Sequence, residues 1–343
     1  MTIRFIPLRL ALGGLFLSAA LQAQTLQTPA QPTLVLPEQE SVMVMEAFSG
    51  KVLFAHNATR KQPVASLTKM ATAAVALDWA SASGSDISKI KITVPVAAAT
   101  LGGPNPMGLK PGERIGMRDA LYAMMLSSDN FAALSVADYV GRQLLISRAK
   151  RGEPMDEFVG EMNRLAKGLG MKHTRFRNPH GLEQGSKAYS TAADMARLSI
   201  YAMRLNPLSF IVRQKSRRIS VEGFQGVRSY TARNTNQLIG QYGVLGVKTG
   251  TTRNAGPCLA TSVHRDPLVR VQADGKKAAT PRRLIVVVLN SGDRFGRTRS
   301  MIARGWAVYD NWMVAGAPVQ SERREIIKVP NPITQPRQLQ LLP

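Results

Sequence analysis

The chain has 343 residues, 44% hydrophobic and 20% charged, with 28 Gly and 20 Pro; this excludes collagen-like and wholly disordered classes and leaves room for a sizeable core. A single cysteine, Cys258, excludes an intramolecular disulfide framework and any site built on several thiolates. With 45 Lys and Arg against 22 Asp and Glu the formal charge is +23, so an anionic partner is expected, whether nucleic acid, a lipid surface or an acidic polymer.

Arg4 and Arg9 precede the apolar run 10–21 and small residues up to Ala23, the pattern of a signal peptide cleaved after Ala23 or Ala20. The run is short for an uncleaved span, and no cysteine follows it, as a lipoprotein would need. Export argues against nucleic acid as the partner and turns attention to anions outside the cytoplasm. Residues 24–39, with their Gln, Thr and Pro, read as an unstructured leader. Runs 41–45 and 51–55 predict a hairpin around the turn Glu46-Ala47-Phe48-Ser49-Gly50. Met70, Ala74, Leu77 and Trp79 predict a helix over 67–82, and Gly102 to Pro106 an exposed loop. The stretch 117–140 is helical in pattern but broken by Ser127-Ser128-Asp129-Asn130. Further helices are predicted over 156–169, closed by Gly170, and 191–205, stopped by Asn206-Pro207.

The last third changes period. Runs 217–221, 246–249, 258–263 and 284–289 read as strands, and the polar segment 264–283 as a long loop between the last two. Residues 299–314 return to helix on Ile302, Trp306, Tyr309 and Trp312, and 320–343 is expected to trail. Terminal strands and a helix around a helical middle predict an α/β (α+β) architecture, one antiparallel sheet flanked by helices with an inserted helical subdomain.

Three short motifs carry chemistry. In Ser66-Leu67-Thr68-Lys69 a serine at a helix start meets a lysine at i+3 on the same face. A hydroxyl is a weak nucleophile until a base takes its proton, and a lysine serves only when desolvation or nearby positive charge keeps it neutral. Ser128-Asp129-Asn130 offers a hydroxyl to relay a proton and a carboxamide to bind a peptide; Lys248-Thr249-Gly250, ending a β run, can hold a carboxylate beside a close backbone approach. Singly, each also reads as a cap with a surface lysine, a polar loop or an ordinary turn. Together and in this order they are the S-x-x-K, S-D-N and K-T-G set of penicillin-binding proteins and class A β-lactamases.

On these residues, with Pro63-Val64-Ala65, Asn178-Pro179-His180-Gly181-Leu182 and Ser190-Thr191-Ala192-Ala193-Asp194-Met195-Ala196 around them, the chain resembles the low-molecular-mass penicillin-binding proteins, the serine D-alanyl-D-alanine peptidases. The resemblance runs from about residue 40 to 314. It implies a penicillin-binding protein/β-lactamase-like fold, a catalytic domain over 40–315 and a tail over 316–343. It also implies that Ser66 is acylated, Lys69 is its base and Ser128 passes a proton to the leaving amine. Asn130, Lys248, Thr249, Gly250 and Thr251 would bind substrate, with the backbone N–H groups of Ser66 and Thr251 as oxyanion hole. No metal or organic cofactor is required. Peptidoglycan is the expected partner, β-lactams covalent inhibitors and the periplasm the expected location, with peripheral membrane contact allowed.

Within that family, carboxypeptidases that remove the terminal D-alanine usually carry a second β domain after the catalytic one, and too few residues follow Val314 for it. The expectation is therefore a cross-link-cleaving endopeptidase, with the carboxypeptidase as alternative. A β-lactamase needs a deacylating glutamate, as in E-x-x-x-N, between the second and third motifs. Glu153, Glu157, Glu161 and Glu183 lie there, but none has asparagine four residues on. A catalytically idle peptidoglycan-binding protein would not need all of Ser66, Lys69, Ser128, Asn130, Lys248 and Thr249. His56, His173, His180 and His264 fit no triad or metal spacing and read as turn or surface residues, His180 as structural. Arg213, Lys215, Arg217 and Arg218, with the six basic residues of 264–283, either hold anionic peptidoglycan or outer-membrane lipid, or simply solvate loops.

Overall fold

The apolar runs near both ends of the chain pair into one sheet, and the helical middle packs on it. The computed structural model describes residues 36–332 other than 184, 186, 272 and 273, so the expected signal peptide, most of the leader and residues 333–343 lie outside the described residues. Strands β1 (Ser41–Glu46) and β2 (Val52–His56) form the expected hairpin; the Glu46 carboxylate closes the turn by accepting from Phe48 N at 3.0 Å and from Ser49 Oγ at 2.6 Å. A 3₁₀ turn, Ala65–Thr68, runs into α1 (Lys69–Ser83). Every residue of α1 from Lys69 to Leu77 is buried, so this is a central helix, and its alanines let neighbouring helices approach closely.

Short strands β3 (Lys91–Thr93) and β4 (Arg114–Gly116) precede α2 (Met117–Leu126) and α3 (Asn130–Ser147), which part at the polar cluster as its sequence predicted. Helix α4 (Pro154–Gly168) starts on a proline, whose missing N–H costs nothing there, and ends against Gly170 at φ +70°. Helix α5 (Ala192–Arg204) is capped by Thr191, whose Oγ1 accepts from Asp194 N at 3.1 Å. Asn206-Pro207 does end α5, but the same proline fits the first turn of a new helix, α6 (Asn206–Val212).

The remaining elements are β5 (Ser216–Gly223), β6 (Gly226–Arg233), β7 (Val244–Thr252), β8 (Gly256–Val271), β9 (Lys277–Leu289), α7 (Arg294–Val314) and α8 (Glu322–Glu325). An antiparallel five-stranded sheet runs β2-β1-β9-β8-β7, and a smaller one β3-β4-β5-β6. Met43, Met45, Ile285, Val287 and Leu289 face the core shared with α1 and α5, while Val42, Val44, Leu284, Val286 and Val288 are buried on the opposite, α7 side. Burial on both faces is why these strands read as unbroken apolar runs. Each fully buried Val or Ile there contributes roughly 1.5–3 kcal/mol.

Three expectations are corrected. The single expected sheet is two: of the smaller one only β5 was legible, as the run 217–221, because β3 and β4 are short and β6 is largely exposed. Segment 264–283 is not a loop: β8 and β9 stay paired out to Val271↔Lys277. Residues 320–332 do not trail, because Ile326 bridges to Lys51, Ile327 N donates to Gly50 O at 2.8 Å, and Arg204 donates to the Val329 carbonyl at 2.6 Å. Ile327 and Val329 are apolar enough to pack on the core and hold that segment down. No described helix is long and apolar enough to cross a membrane.

Candidate active site

Ser66 lies in the 3₁₀ turn, and Lys69 is the first residue of α1, one turn further along the same face. The Lys69 side chain is fully buried, with Nζ 3.0 Å from Ser66 Oγ, 2.6 Å from Asn130 Oδ1 and 2.9 Å from the His180 carbonyl oxygen. Burial pulls its pKa from 10.5 down to about 7, against an opposing pull from the Asp129 carboxylate. The three partners decide what the neutral amine does. It has two N–H bonds and one lone pair; Asn130 Oδ1 and the His180 carbonyl can only accept, so they take the hydrogens. The lone pair is left facing Ser66 Oγ, where it can receive the hydroxyl proton. Asn130 is oriented independently, since its Nδ2 donates to Gly102 O at 3.3 Å.

The carbonyl of His180 arrives in a tight loop: Asn178 Oδ1 accepts from Gly181 N at 2.7 Å, and Asn178 Nδ2 donates to Leu182 O at 2.7 Å. Burial pushes the His180 imidazole down to about 3, so it is neutral, and Nδ1 accepts from Leu182 N at 3.2 Å. Its expected structural place is correct; the part played by its backbone oxygen had no sequence signal.

Ser128 is half-buried at the break between α2 and α3, in the left-handed region at φ +62°; Ala65, just before Ser66, is at +48°. Two non-glycine residues in that region, each costing about 1–3 kcal/mol, flank the site and are held by their surroundings. Ser127 Oγ accepts from Arg233 N at 2.9 Å, and Asn130 N donates to Pro104 O at 2.9 Å, anchoring the break on both sides. Asp129, fully buried, is the N-cap of α3: Oδ1 accepts from Ala132 N at 2.9 Å and Oδ2 from Met107 N at 3.2 Å. Burial raises its pKa. We expect Asp129→Ala to cost about 1–2 kcal/mol in urea unfolding through loss of the cap. Asp129→Asn retains a capping oxygen but removes the pull on Lys69, so the acidic limb of the acylation rate should move to lower pH. A limb that moved up or stayed in place would contradict this coupling.

Lys248, Thr249, Gly250 and Thr251 lie on β7, the strand at one end of the five-stranded sheet, whose outer edge can receive an extended peptide. A Cβ at Gly250 would stand 3.0 Å from both Ser66 N and Val64 O, so only glycine lets β7 lie this close to the turn that carries Ser66. Lys248 is buried, and its Nζ donates to Thr249 O at 3.0 Å; burial, then Lys69 and Arg294, push its pKa well below the usual lysine value. Thr249 Oγ1 is 2.6 Å from Thr235 Oγ1, and Thr235 N donates to Leu126 O at 3.0 Å, which ties β7 to the end of α2. Arg294, at the start of α7, donates to Gly250 O at 2.9 Å and to Thr251 Oγ1 at 2.7 Å. Neither Thr235 nor Arg294 belongs to a motif, and only the fold brings them here.

Three of the four glutamates weighed for deacylation have side-chain partners, and of these only Glu183 meets β7, at the residue after Thr251. Glu157 and Glu161 pair with Arg148 and Arg164, and Glu183 accepts from Thr252 Oγ1 and from Asn254 Nδ2. Cys258 is buried in β8, where burial raises its thiol pKa to about 11. Among the described residues no cluster of His, Cys, Asp or Glu is placed to hold a metal.

Residues 26–273 match the family model described as D-alanyl-D-alanine carboxypeptidase, peptidase S11. A Bacillus subtilis D-alanyl-D-alanine carboxypeptidase is 32% identical over 279 residues, 80% of this chain and 66% of that protein. A Pseudomonas aeruginosa D-alanyl-D-alanine endopeptidase is also 32% identical, over 285 residues covering 78% of this chain and 83% of the relative. Among solved structures, the Streptomyces K15 DD-transpeptidase superposes with a TM-score of 0.63 at 27% identity, over 78% of this chain and 96% of that one. Penicillin-binding protein D2 of Listeria monocytogenes in its cefotaxime-bound form gives 0.61 at 26%, over 80% of this chain and all of that one. The penicillin-binding protein fold expected from the three motifs is therefore the one the chain adopts, and the chain belongs to the S11 family of serine D-alanyl-D-alanine peptidases.

Proposed function

We propose that this protein is a periplasmic serine DD-peptidase that hydrolyses peptidoglycan stem peptides through an acyl-enzyme at Ser66, with cleavage of D-alanyl cross-links as its main reaction. The observation that carries the chemistry is the buried Lys69 amine, held by two obligate acceptors with its lone pair toward Ser66 Oγ. In this reading Lys69 takes the hydroxyl proton as Oγ attacks the D-alanine carbonyl, and the backbone N–H groups of Ser66 and Thr251 receive the oxyanion. Ser128 hands a proton to the leaving amine. Asn130 binds the substrate amide, Thr249 the carboxylate beside the scissile bond, and Lys248 adds positive potential. Water then releases the acyl group.

In a terminal D-alanyl-D-alanine and in a D-alanyl cross-link to the D-centre of diaminopimelate alike, the carbon bearing the leaving nitrogen also bears a carboxylate. One site can therefore address both bonds. The formal charge of +23 favours retention on the cross-linked, anionic polymer over a small soluble peptide. The deciding test is a digest of a cross-linked dimer and of a pentapeptide monomer, read by mass spectrometry, with Ser66→Ala as control. Dimer converted to monomers by the wild type alone supports the endopeptidase. Release of D-alanine with the dimer untouched makes it a carboxypeptidase, and no reaction with either overturns the peptidase reading.

A further inference from the structure

The β8–β9 hairpin leaves the sheet. β1 follows β9 only as far as Leu284, and β7 follows β8 only as far as Val263; Arg283 O still accepts from Ala47 N and His264 N donates to Gly243 O, and from Arg265↔Arg282 outward the described strand pairings are only between β8 and β9. A free two-stranded ribbon is marginal in water, and its two open edges invite unwanted pairing. Its root is fastened to the body: Arg265 stacks over Trp306 at 4.3 Å and pairs with Asp310 at 2.9 Å, and Arg283 lies over the Phe48 ring; Arg282 Nε donates to Asp266 O at 2.5 Å within the ribbon. Two of the six basic residues of this segment therefore serve anchorage, and a third ties the ribbon's own strands together.

The distal part is built differently. Strand alternation and the pairings Val269↔Ala279 and Val271↔Lys277 put both valines on one face, 56% and 69% exposed, with Arg270 on the other. Arg270 and Lys277 form no ion pair among the described residues, and Lys276 meets only Asp274, at 3.0 Å. The ribbon contains no aromatic ring on which a sugar could stack. Two exposed valines with Lys277 on their own face and Lys276 at the adjoining turn match the headgroup boundary of an anionic bilayer, where apolar area and charge both contribute to binding.

We propose that the distal β8–β9 ribbon docks on an anionic lipid surface, with Val269 and Val271 entering the headgroup region and Lys276 and Lys277 meeting lipid phosphates. This holds whichever bond the active site cuts. The test is co-sedimentation of the purified protein with vesicles of phosphatidylglycerol and phosphatidylethanolamine, against pure phosphatidylcholine, at low and high salt. Binding to the anionic vesicles alone, weakened by salt, is expected. Lys276→Ser with Lys277→Ser should lower it about 30-fold. Val269→Thr with Val271→Thr, which keeps charge and β-branched shape, should lower it about fivefold. Labelling of Ser66 by fluorescent penicillin should stay unchanged in both variants, which reports their folding and separates this result from any failure of the peptidase reading. Absent or salt-insensitive vesicle binding, equal binding to phosphatidylcholine, or loss of binding to isolated sacculi with vesicle binding intact would each overturn the proposal.

Discussion

Lys69→Met is expected to leave the protein folded and Ser66 nearly inert: the second-order rate of acylation by a fluorescent penicillin falls by about 10²–10⁴-fold. Methionine fills the same buried space but has no lone pair that can take the Ser66 proton. The wild-type pH profile tests the same point. With the Lys69 pKa pulled to about 7, the amine is half neutral there, and each unit below leaves about tenfold less of the reactive form. The acylation rate should therefore climb with pH up to about 7 and flatten above it. An ordinary lysine would keep climbing toward 10.5. A profile flat between about pH 5 and 8, or a methionine variant acylated at near wild-type rate, would remove Lys69 from the role of base.

Gly181→Ala should be the most damaging small substitution near the site. The added Cβ would stand 2.0 Å from Ala65 O and 2.5 Å from Ala65 C, and Gly181 already sits at φ +89°. The atoms in the way belong to the backbone of the turn that presents Ser66, so they cannot rotate aside. We expect a loss of about 4 kcal/mol or more and a fall in Tm of roughly 10 °C, together with slower acylation as the turn shifts. Gly84→Ala is the control: φ there is +66°, but nothing lies within 4 Å of the new Cβ. It should cost only about 1–2 kcal/mol, the intrinsic penalty of that backbone conformation. Equal losses in the two variants would mean that the approach to Ala65 is not the cause.

Much of this site could be read before any coordinates. The i+3 spacing of Ser66 and Lys69, the polar break at Ser128-Asp129-Asn130 and the β run into Lys248-Thr249-Gly250 are local patterns, and each sits on the element its pattern predicts. The strands with unbroken apolar runs were legible for a related reason: β1 and the inner half of β9 are buried on both faces, and burial shows directly as hydrophobicity. The exposed strand β6 and the outer ribbon of β8 and β9 were not, since their backbone pairing leaves little trace in side-chain polarity.

What the sequence by itself determined is the set of candidate side chains and the local elements that carry them. Only the tertiary structure decided that they meet. The two acceptors that orient the Lys69 amine come from Asn130 and His180, 61 and 111 residues along the chain, and one of them is a backbone oxygen that no residue type announces. Arg294 reaches Gly250 and Thr251 from the start of a helix 44 and 43 residues on. The physical reason is that periodicity and motif spacing report contacts within a turn or a strand. A depressed lysine pKa is set instead by how completely distant segments exclude water around one nitrogen.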